Sequence, residues 1–122
     1  MTLETAPPTG RTARGTARPF AAAGAVRPRK ASHADQCEVL EQLPNIGPSL
    51  AADLRRLGIQ HPRELAGADA FQLYRSLCTL SGQRQDPCVL DTFMAATDFM
   101  RGAEARPWWT YTAQRKATYG AV

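Results

Sequence analysis

The fold is decided by the stretch LPNIGPSLAADL, residues 43–54. Pro44 stops a helix that comes before it, and Pro48 suits the first position of a new helix. Only three residues lie between the two prolines. A turn this short needs backbone angles that most residues avoid, and Gly47 is expected to supply them. The stretch therefore predicts two helices joined by a tight hairpin.

The spacing around this turn resembles the helix-hairpin-helix motif. Ile46 is expected to fill the space between the two helices, and Ala51 is small enough to let them approach closely. Asn45 stands where the motif usually has its first glycine, but asparagine accepts a left-handed backbone better than most residues. Ser49 stands where many DNA-binding members carry lysine, so one positive charge is missing. The positions that match are Pro44, Ile46, Gly47, Ala51 and Leu54.

The resemblance implies a phosphate-binding surface at the start of the second helix. The first N–H groups of a helix have no helical acceptor, and the dipole makes that end positive. The hydroxyl of Ser49 can also donate to a phosphate. We therefore expect a non-enzymatic module that binds the DNA backbone weakly and with little sequence selectivity. The residues predicted to contact DNA are Pro44, Asn45, Ile46, Gly47, Pro48, Ser49, Arg115 and Lys116.

Three other roles remain open for the same surface. It can be a structural corner or a protein–protein adaptor that docks on a partner, or it can belong to a small regulator of a stress or DNA-damage response. The role of the C-terminal segment is likewise undecided between two alternatives. Its aromatic residues Trp108, Trp109 and Tyr111 stand near Arg115 and Lys116. Such a mixture can stack on bases and contact phosphates, or it can clip the segment onto the bundle.

Helical periodicity recurs along the rest of the chain, so we expect a compact all-α bundle of five helices without a sheet. Gly58 suits a left-handed end to the second helix. Between the last two helices, the loop over residues 81–87 keeps only Gly82 of the hairpin chemistry and predicts a degenerate second hairpin. The helices are expected at about 34–43, at 48–57, from Pro62 to Gly67, after an Asp69 cap, and from the Asp86–Pro87 pair to Gly102.

The charge of the chain divides it into two parts. Residues 1–31 contain six basic side chains and one acidic one, whereas residues 32–122 contain nine basic and ten acidic ones. The first part has almost no large apolar side chains and cannot bury enough surface to offset its ordering entropy. We therefore predict a disordered basic tail at 1–31 and one domain at 32–122. The tail also looks like a transit peptide, since it is rich in arginine and poor in acidic residues.

Beyond the hairpin, the chain resembles the bacterial pathogenicity-locus family, small proteins of which some are labelled mitomycin-resistance proteins. It is similar, more distantly, to the helical C-terminal domain of TfoX-type competence regulators. The resemblance covers about residues 43–116 and implies a helix-hairpin-helix fold and DNA binding. The residues that carry it are the stretches 43–48, 57–59, 73–74, 77–78, 86–91 and 107–109.

Other residues indicate no catalytic or metal chemistry. An odd number of cysteines, Cys37, Cys78 and Cys88, argues against a disulfide framework and for a cytoplasmic protein. Cys78 falls on an apolar helix face, which favours a core thiol over a redox or zinc ligand. Asp86, Asp91 and Asp98 lie along one helix, where structural roles are favoured over a metal-dependent nuclease. We expect no catalytic residue, metal, cofactor, membrane segment or small-molecule substrate.

Overall fold

The structure, a computed structural model, describes residues 29–122. Within this range the chain is helical and contains no strand, so the predicted all-α fold is confirmed. None of its helices is both long enough and apolar enough to cross a bilayer. The α-helices in the described range are α1 (Pro48–Arg56), α2 (Ala70–Ser81), α3 (Pro87–Met100) and α4 (Thr112–Tyr119). Short 3-10 helices occupy Ala34–Gln36, Leu40–Gln42, Pro62–Gly67 and Trp108–Tyr111.

Helix α3 is the centre of the fold. Its residues 90–97 are all buried, and so is Phe99. A helix that is buried around its whole circumference needs neighbours on every side. Here α2, α4 and the 3-10 helices Pro62–Gly67 and Trp108–Tyr111 pack against it. Full burial of a side chain such as Phe93 contributes about 1.5–3 kcal/mol, so α3 supplies much of the core.

The predicted signals at the helix ends are confirmed. The Asp69 carboxylate accepts a hydrogen bond of 2.8 Å from the N–H of Phe71 and so caps α2. Asp86 caps α3 in the same way, with a 2.9 Å bond from the N–H of Cys88. Gly58 follows the end of α1 with a φ of +94°, a left-handed angle that favours glycine. These local rules fix where three of the helices begin or end.

The predicted first helix, at about 34–43, is not an α-helix. It is divided into two single 3-10 turns, because Cys37 between them has an extended backbone. The side-chain oxygen of Gln42 accepts the N–H groups of Glu38 and Val39, at 2.7 and 3.0 Å, and holds the second turn. The buried residues Cys37, Leu40 and Leu43 follow one another at intervals of three. Cys37 and Leu43 are themselves extended, so this spacing does not come from one continuous helix.

The C-terminal region contains helices that the sequence reading did not predict. The 3-10 helix Trp108–Tyr111 leads directly into α4. Tyr111 is buried, and the ring of Tyr119 stacks on that of Phe71 at a centroid distance of 4.5 Å. Of the two roles left open for this segment, packing onto the bundle is thus observed, and the segment includes an α-helix that was not predicted.

The folded domain begins earlier than composition indicates. Residues 1–28 of the predicted tail lie outside the described residues. Ala31, which was assigned to that tail, is buried, and its N–H donates to the carbonyl of Gln42 at 3.0 Å. Lys30 also contacts the domain, as described below. The domain thus includes residues 30 and 31.

The connection between α2 and α3 is a short polar loop at residues 82–86. Gly82 ends α2 with a φ of +73°. The N–H of Gln85 donates to the sulfur of Cys78 at 3.3 Å, and the hydroxyl of Tyr74 donates to the carbonyl of Gln85. That this loop is a degenerate second hairpin stays a prediction.

Candidate nucleic-acid interface

The hairpin turn, residues 44–47, joins the 3-10 turn Leu40–Gln42 to α1. Asn45 has a φ of +66° and is the residue that takes the left-handed backbone. The sequence reading gave this role to Gly47, but its φ of −93° and ψ of −175° are extended angles that any residue adopts. The turn therefore depends on the tolerance of asparagine for left-handed angles.

Two of the predicted DNA contacts face the core instead. The side chain of Ile46 has no exposed surface and belongs to the hydrophobic core. Pro44 is buried as well, and a proline has no N–H to donate. Ala51, on the facing side of α1, is also fully buried. These residues shape the turn, and the exposed positions near it are Pro48 and Ser49.

The start of α1 differs from those of α2 and α3. Gly47 precedes the helix and has no side chain with which to cap it. The first helical hydrogen bond runs from the N–H of Ala51 to the carbonyl of Gly47, at 2.9 Å. Within residues 29–122, no side chain accepts a hydrogen bond from the N–H groups of Ser49 and Leu50. Those donors stand at the positive end of the helix dipole beside an exposed surface.

A second segment is attached to the hairpin turn. The side-chain amide of Asn45 donates to the carbonyl of Arg106 at 2.7 Å. Three residues of chain span at most about 11 Å, so Trp109 follows within that distance of Arg106. Trp109 is 61% exposed, whereas Trp108 is half-buried and meets it edge-on at 5.7 Å. An exposed indole thus stands three residues along the chain from a residue that contacts the hairpin turn.

Lys30 contacts the hairpin turn from the other side. Its ammonium donates to three backbone carbonyls, at 2.9 Å to Glu41, 2.8 Å to Leu43 and 2.7 Å to Ile46. No signal in the sequence identified this residue, because it stands in a stretch whose composition is that of a disordered tail.

An ion pair joins the two arms of the hairpin. The guanidinium of Arg55 on α1 makes two bonds with the carboxylate of Glu41, Nη1 to Oε2 at 3.0 Å and Nη2 to Oε1 at 2.8 Å. This bidentate geometry is the strongest form of the arginine–carboxylate pair. The guanidinium lowers the pKa of Glu41, so the carboxylate stays ionised at neutral pH.

Arg115 does not lie on this surface. It is only 8% exposed, and its Nε donates to Oδ1 of Asp91 at 2.8 Å. The expected contact of Arg115 with a phosphate is therefore wrong, since its guanidinium neutralises a buried carboxylate. The sequence contains one signal of this pair, since Asp91 is an acidic residue that directly follows the core residue Leu90 in the most apolar helix. Lys116, the next residue, is exposed.

Asp86, Asp91 and Asp98 each have a different structural partner. Asp86 caps α3, Asp91 meets Arg115, and Oδ1 of Asp98 lies 3.8 Å from Nη1 of Arg101. Within the described range, no three His, Cys, Asp or Glu side chains are grouped to hold a metal ion.

The three cysteines are free thiols. Burial raises the pKa of Cys37 to about 11. Burial, followed by the nearby Asp86 carboxylate, raises the pKa of Cys88 to about 11 as well. Both side chains are therefore thiols at neutral pH, and thiols are poor nucleophiles and poor metal ligands.

Residues 33–117 match the pathogenicity locus family, which covers both arms of the hairpin and all four α-helices up to the last turn of α4. The chain belongs to this family. It is also 46% identical over 77 residues to the mitomycin resistance protein McrB of Streptomyces lavendulae, across 63% of this chain and 73% of the relative. No solved structure matches it. The resemblance noted in the sequence is thereby confirmed.

Proposed function

We propose that this chain is a non-enzymatic module that binds the DNA backbone weakly, and with little sequence selectivity, at the hairpin turn and the start of α1. The observation that carries the proposal is the pair of N–H donors on Ser49 and Leu50, uncapped and next to exposed residues. A phosphate is an anion of the size and charge that such a helix start accommodates.

The charge around the hairpin turn supports the same function. The ammonium of Lys30 is held against the turn, and the nearby Glu41 carboxylate is already neutralised by Arg55. One cation thus contacts the turn, although residues 32–122 as a whole are close to neutral. Weak, salt-sensitive binding is expected, because few phosphates are contacted.

The biological setting that we propose follows the relative. Its name states resistance to mitomycin, and we propose that this chain acts in the same kind of stress response. Its free cysteines are the basis for proposing a cytoplasmic location. The relative's name says nothing about DNA. The hairpin turn is thus the basis for the DNA-binding proposal, and the relative is the basis for the setting.

A protein–protein adaptor is the second candidate, and the exposure of Trp109 favours it. Exposed tryptophans are enriched at the centres of protein interfaces. In this case the hairpin turn and Trp109 dock on a protein partner, and the uncapped helix start receives a carboxylate of that partner.

Titration of the full chain with single-stranded, duplex and branched DNA at two salt concentrations tests the first proposal. Saturable binding that weakens with salt supports it, and no binding at low salt favours the adaptor.

Two lysine variants locate the site. Ser49→Lys adds a charge at the exposed start of α1, and Gln72→Lys adds one on the exposed surface of α2. We expect Ser49→Lys alone to tighten binding and to steepen its salt dependence by about one phosphate contact. Equal effects of the two lysines would remove the hairpin turn from the DNA-binding surface.

A further inference from the structure

A groove lies between the C-terminal end of α1 and one face of α2, and it has a volume of about 530 Å³. Helix α2 packs mainly against α3, and α1 packs mainly against the turn Leu40–Gln42, so the two helices leave this space open between them. The residues that line this α1–α2 groove include Arg56, Leu57, Gln72, Arg75, Thr79 and Leu80.

The side of the groove that α2 supplies is an exposed helix face. Tyr74 and Leu77 of the same helix are buried in the core. Residues 72, 75, 76, 79 and 80 follow the spacing of a separate face, and all five are exposed. Leu80 is 48% exposed and is one of the three large apolar side chains that are exposed within residues 29–122. Together with the partly buried Leu57, it offers a partner an apolar contact.

The charge of the groove favours an acidic partner. Arg75 is the only charged residue of α2. Within residues 29–122 its guanidinium forms no ion pair, and it lies instead 5.8 Å from the centre of the Phe71 ring. Arg56 lies 3.5 Å from Asp53, but both side chains are partly exposed, and such pairs are weak. The groove thus presents two guanidinium groups against one nearby carboxylate, a charge that an acidic ligand complements.

We propose that the α1–α2 groove is a docking site for a segment of another protein in which an apolar side chain stands beside one or more carboxylates. The apolar side chain packs on Leu57 and Leu80, and the carboxylates bind the guanidinium groups of Arg56 and Arg75. Arginine suits this role because its fork of N–H donors matches the two oxygens of a carboxylate. The side-chain amide of Gln72 on the same face both donates to and accepts from a peptide backbone.

A protein segment fits these residues better than a nucleic acid does. A phosphate backbone supplies anions for the two arginines, but it has no apolar side chain to cover Leu80. The groove is also separate from the hairpin turn, since Arg56 and Pro48 stand at opposite ends of α1, about 12 Å apart along the helix axis. The inference therefore does not depend on the proposed function.

Selection of short random peptides displayed on phage tests the inference, with the full chain as the target. Peptides that carry leucine, phenylalanine or methionine next to aspartate or glutamate should be enriched. Fluorescence anisotropy then measures the affinity of the synthesised peptides for the full chain and its variants. Arg75→Glu should weaken binding about tenfold or more, because repulsion replaces a charge-assisted hydrogen bond. Leu80→Ser should weaken it several-fold through lost apolar burial, and Gln72→Lys should tighten it.

Two variants outside the groove are the controls. Arg63→Glu reverses an exposed cation that does not line the groove, and Trp109→Ala removes the exposed indole. Neither should change the affinity for the peptides. A peptide in which lysine replaces the acidic residue should bind Arg75→Glu more tightly than the unchanged chain, which also shows that this variant is folded. If Arg75→Glu melts early, the tightening by Gln72→Lys decides the test.

The inference is wrong if no peptides of this kind are enriched, or if Arg63→Glu or Trp109→Ala weakens binding as much as Arg75→Glu does. Loss of duplex DNA binding in Arg75→Glu, without loss of peptide binding, would assign the groove to nucleic acid instead. Failure of the peptides leaves the proposed DNA binding at the hairpin turn standing, because Ser49→Lys tests that site separately.

Discussion

The carboxylate of Asp91 and the guanidinium of Arg115 form an ion pair between α3 and α4, with Nε 2.8 Å from Oδ1. Asp91 has no exposed surface, and the hydroxyl of Thr112 donates to its second oxygen at 2.7 Å. A carboxylate removed from water in this way needs a partner, because its lost hydration costs several kcal/mol. Arg115 is thus the partner through which α4 is bound to the core. The Asp91 carboxylate raises the pKa of the Arg115 guanidinium.

Removal of Arg115 should therefore destabilise the domain strongly. In Arg115→Met, Asp91 stays buried with the Thr112 hydroxyl as its remaining partner among the described side chains. We expect a loss of about 3–5 kcal/mol in the free energy of unfolding, measured by denaturant titration. The control is Lys116→Met, the exposed neighbour, which should change stability by about 0.5 kcal/mol or less. If the two variants unfold alike, the ion pair does not hold α4.

Local rules were enough to predict much of this fold. Asp69, Asp86 and Pro87 act through atoms within three residues, and their effects on helix starts do not depend on the rest of the chain. Helical periodicity also predicted where α2 and α3 lie, because it depends only on the spacing of apolar residues along the chain.

Two of the misses share a physical cause, which is contact over long sequence distances. Lys30 reaches carbonyls up to 16 residues away, and Asn45 reaches Arg106, 61 residues away. Spacing rules do not cover such contacts. Asn45 was predicted to tolerate the left-handed backbone, but only the structure shows that it carries the turn while Gly47 stays extended. Three of the predicted site residues, Pro44, Ile46 and Arg115, are buried, and the place of the site along the chain stays a prediction.

The ion pair between Glu41 and Arg55 should make stability depend on pH in the acid range. Arg55 lowers the pKa of Glu41 in the folded state below its ordinary value of 4.5. The pair therefore stabilises the fold above about pH 4.5, and this contribution is lost as the pH falls through the lowered pKa. Because both side chains are partly exposed, the effect is about 1 kcal/mol or less.

Glu41→Gln tests this dependence. At pH 7 it should lower the free energy of unfolding by that amount, and the difference from the unchanged chain should shrink as the pH falls well below 4.5. Denaturant titrations across this range give the measurement, with the exposed Glu104→Gln as control. A difference that stays constant down to low pH would contradict the assignment of the pKa shift to the ion pair.

Substitution of Trp109 should weaken DNA binding while leaving the stability of the domain nearly unchanged. Because 61% of its surface is exposed, Trp109→Ala should change the free energy of unfolding little, whereas the half-buried Trp108→Ala should cost more. If its indole stacks on an unpaired base, Trp109→Ala should weaken binding of single-stranded DNA by about 1–3 kcal/mol, and Trp109→Phe should keep most of it. The chain has only two tryptophans, so quenching of Trp109 fluorescence in a Trp108→Phe background reports the contact. Stacking is excluded if DNA binds without quenching.

The substitution Gly47→Asp should raise the stability of the domain and abolish its binding to DNA. Its backbone is extended, and a Cβ built on it meets nothing within 4 Å, so a side chain fits there. Gly47→Asp recreates the Asp86–Pro87 pair that caps α3, because Pro48 follows it. The new carboxylate should accept the free N–H groups at the start of α1 and stabilise the domain by about 0.5–1 kcal/mol.

The same carboxylate occupies the donors that the proposed phosphate site uses, and its charge repels DNA. We therefore expect Gly47→Asp to melt at a higher temperature and to lose DNA binding at every salt concentration. Gly47→Ser is the uncharged control, since its hydroxyl caps the helix without repelling phosphate and should weaken binding less. Should Gly47→Asp bind DNA as tightly as the unchanged chain, phosphate does not meet the start of α1. The adaptor would then be the better account of the hairpin turn, because a protein partner can dock beside it on Trp109 without using these donors.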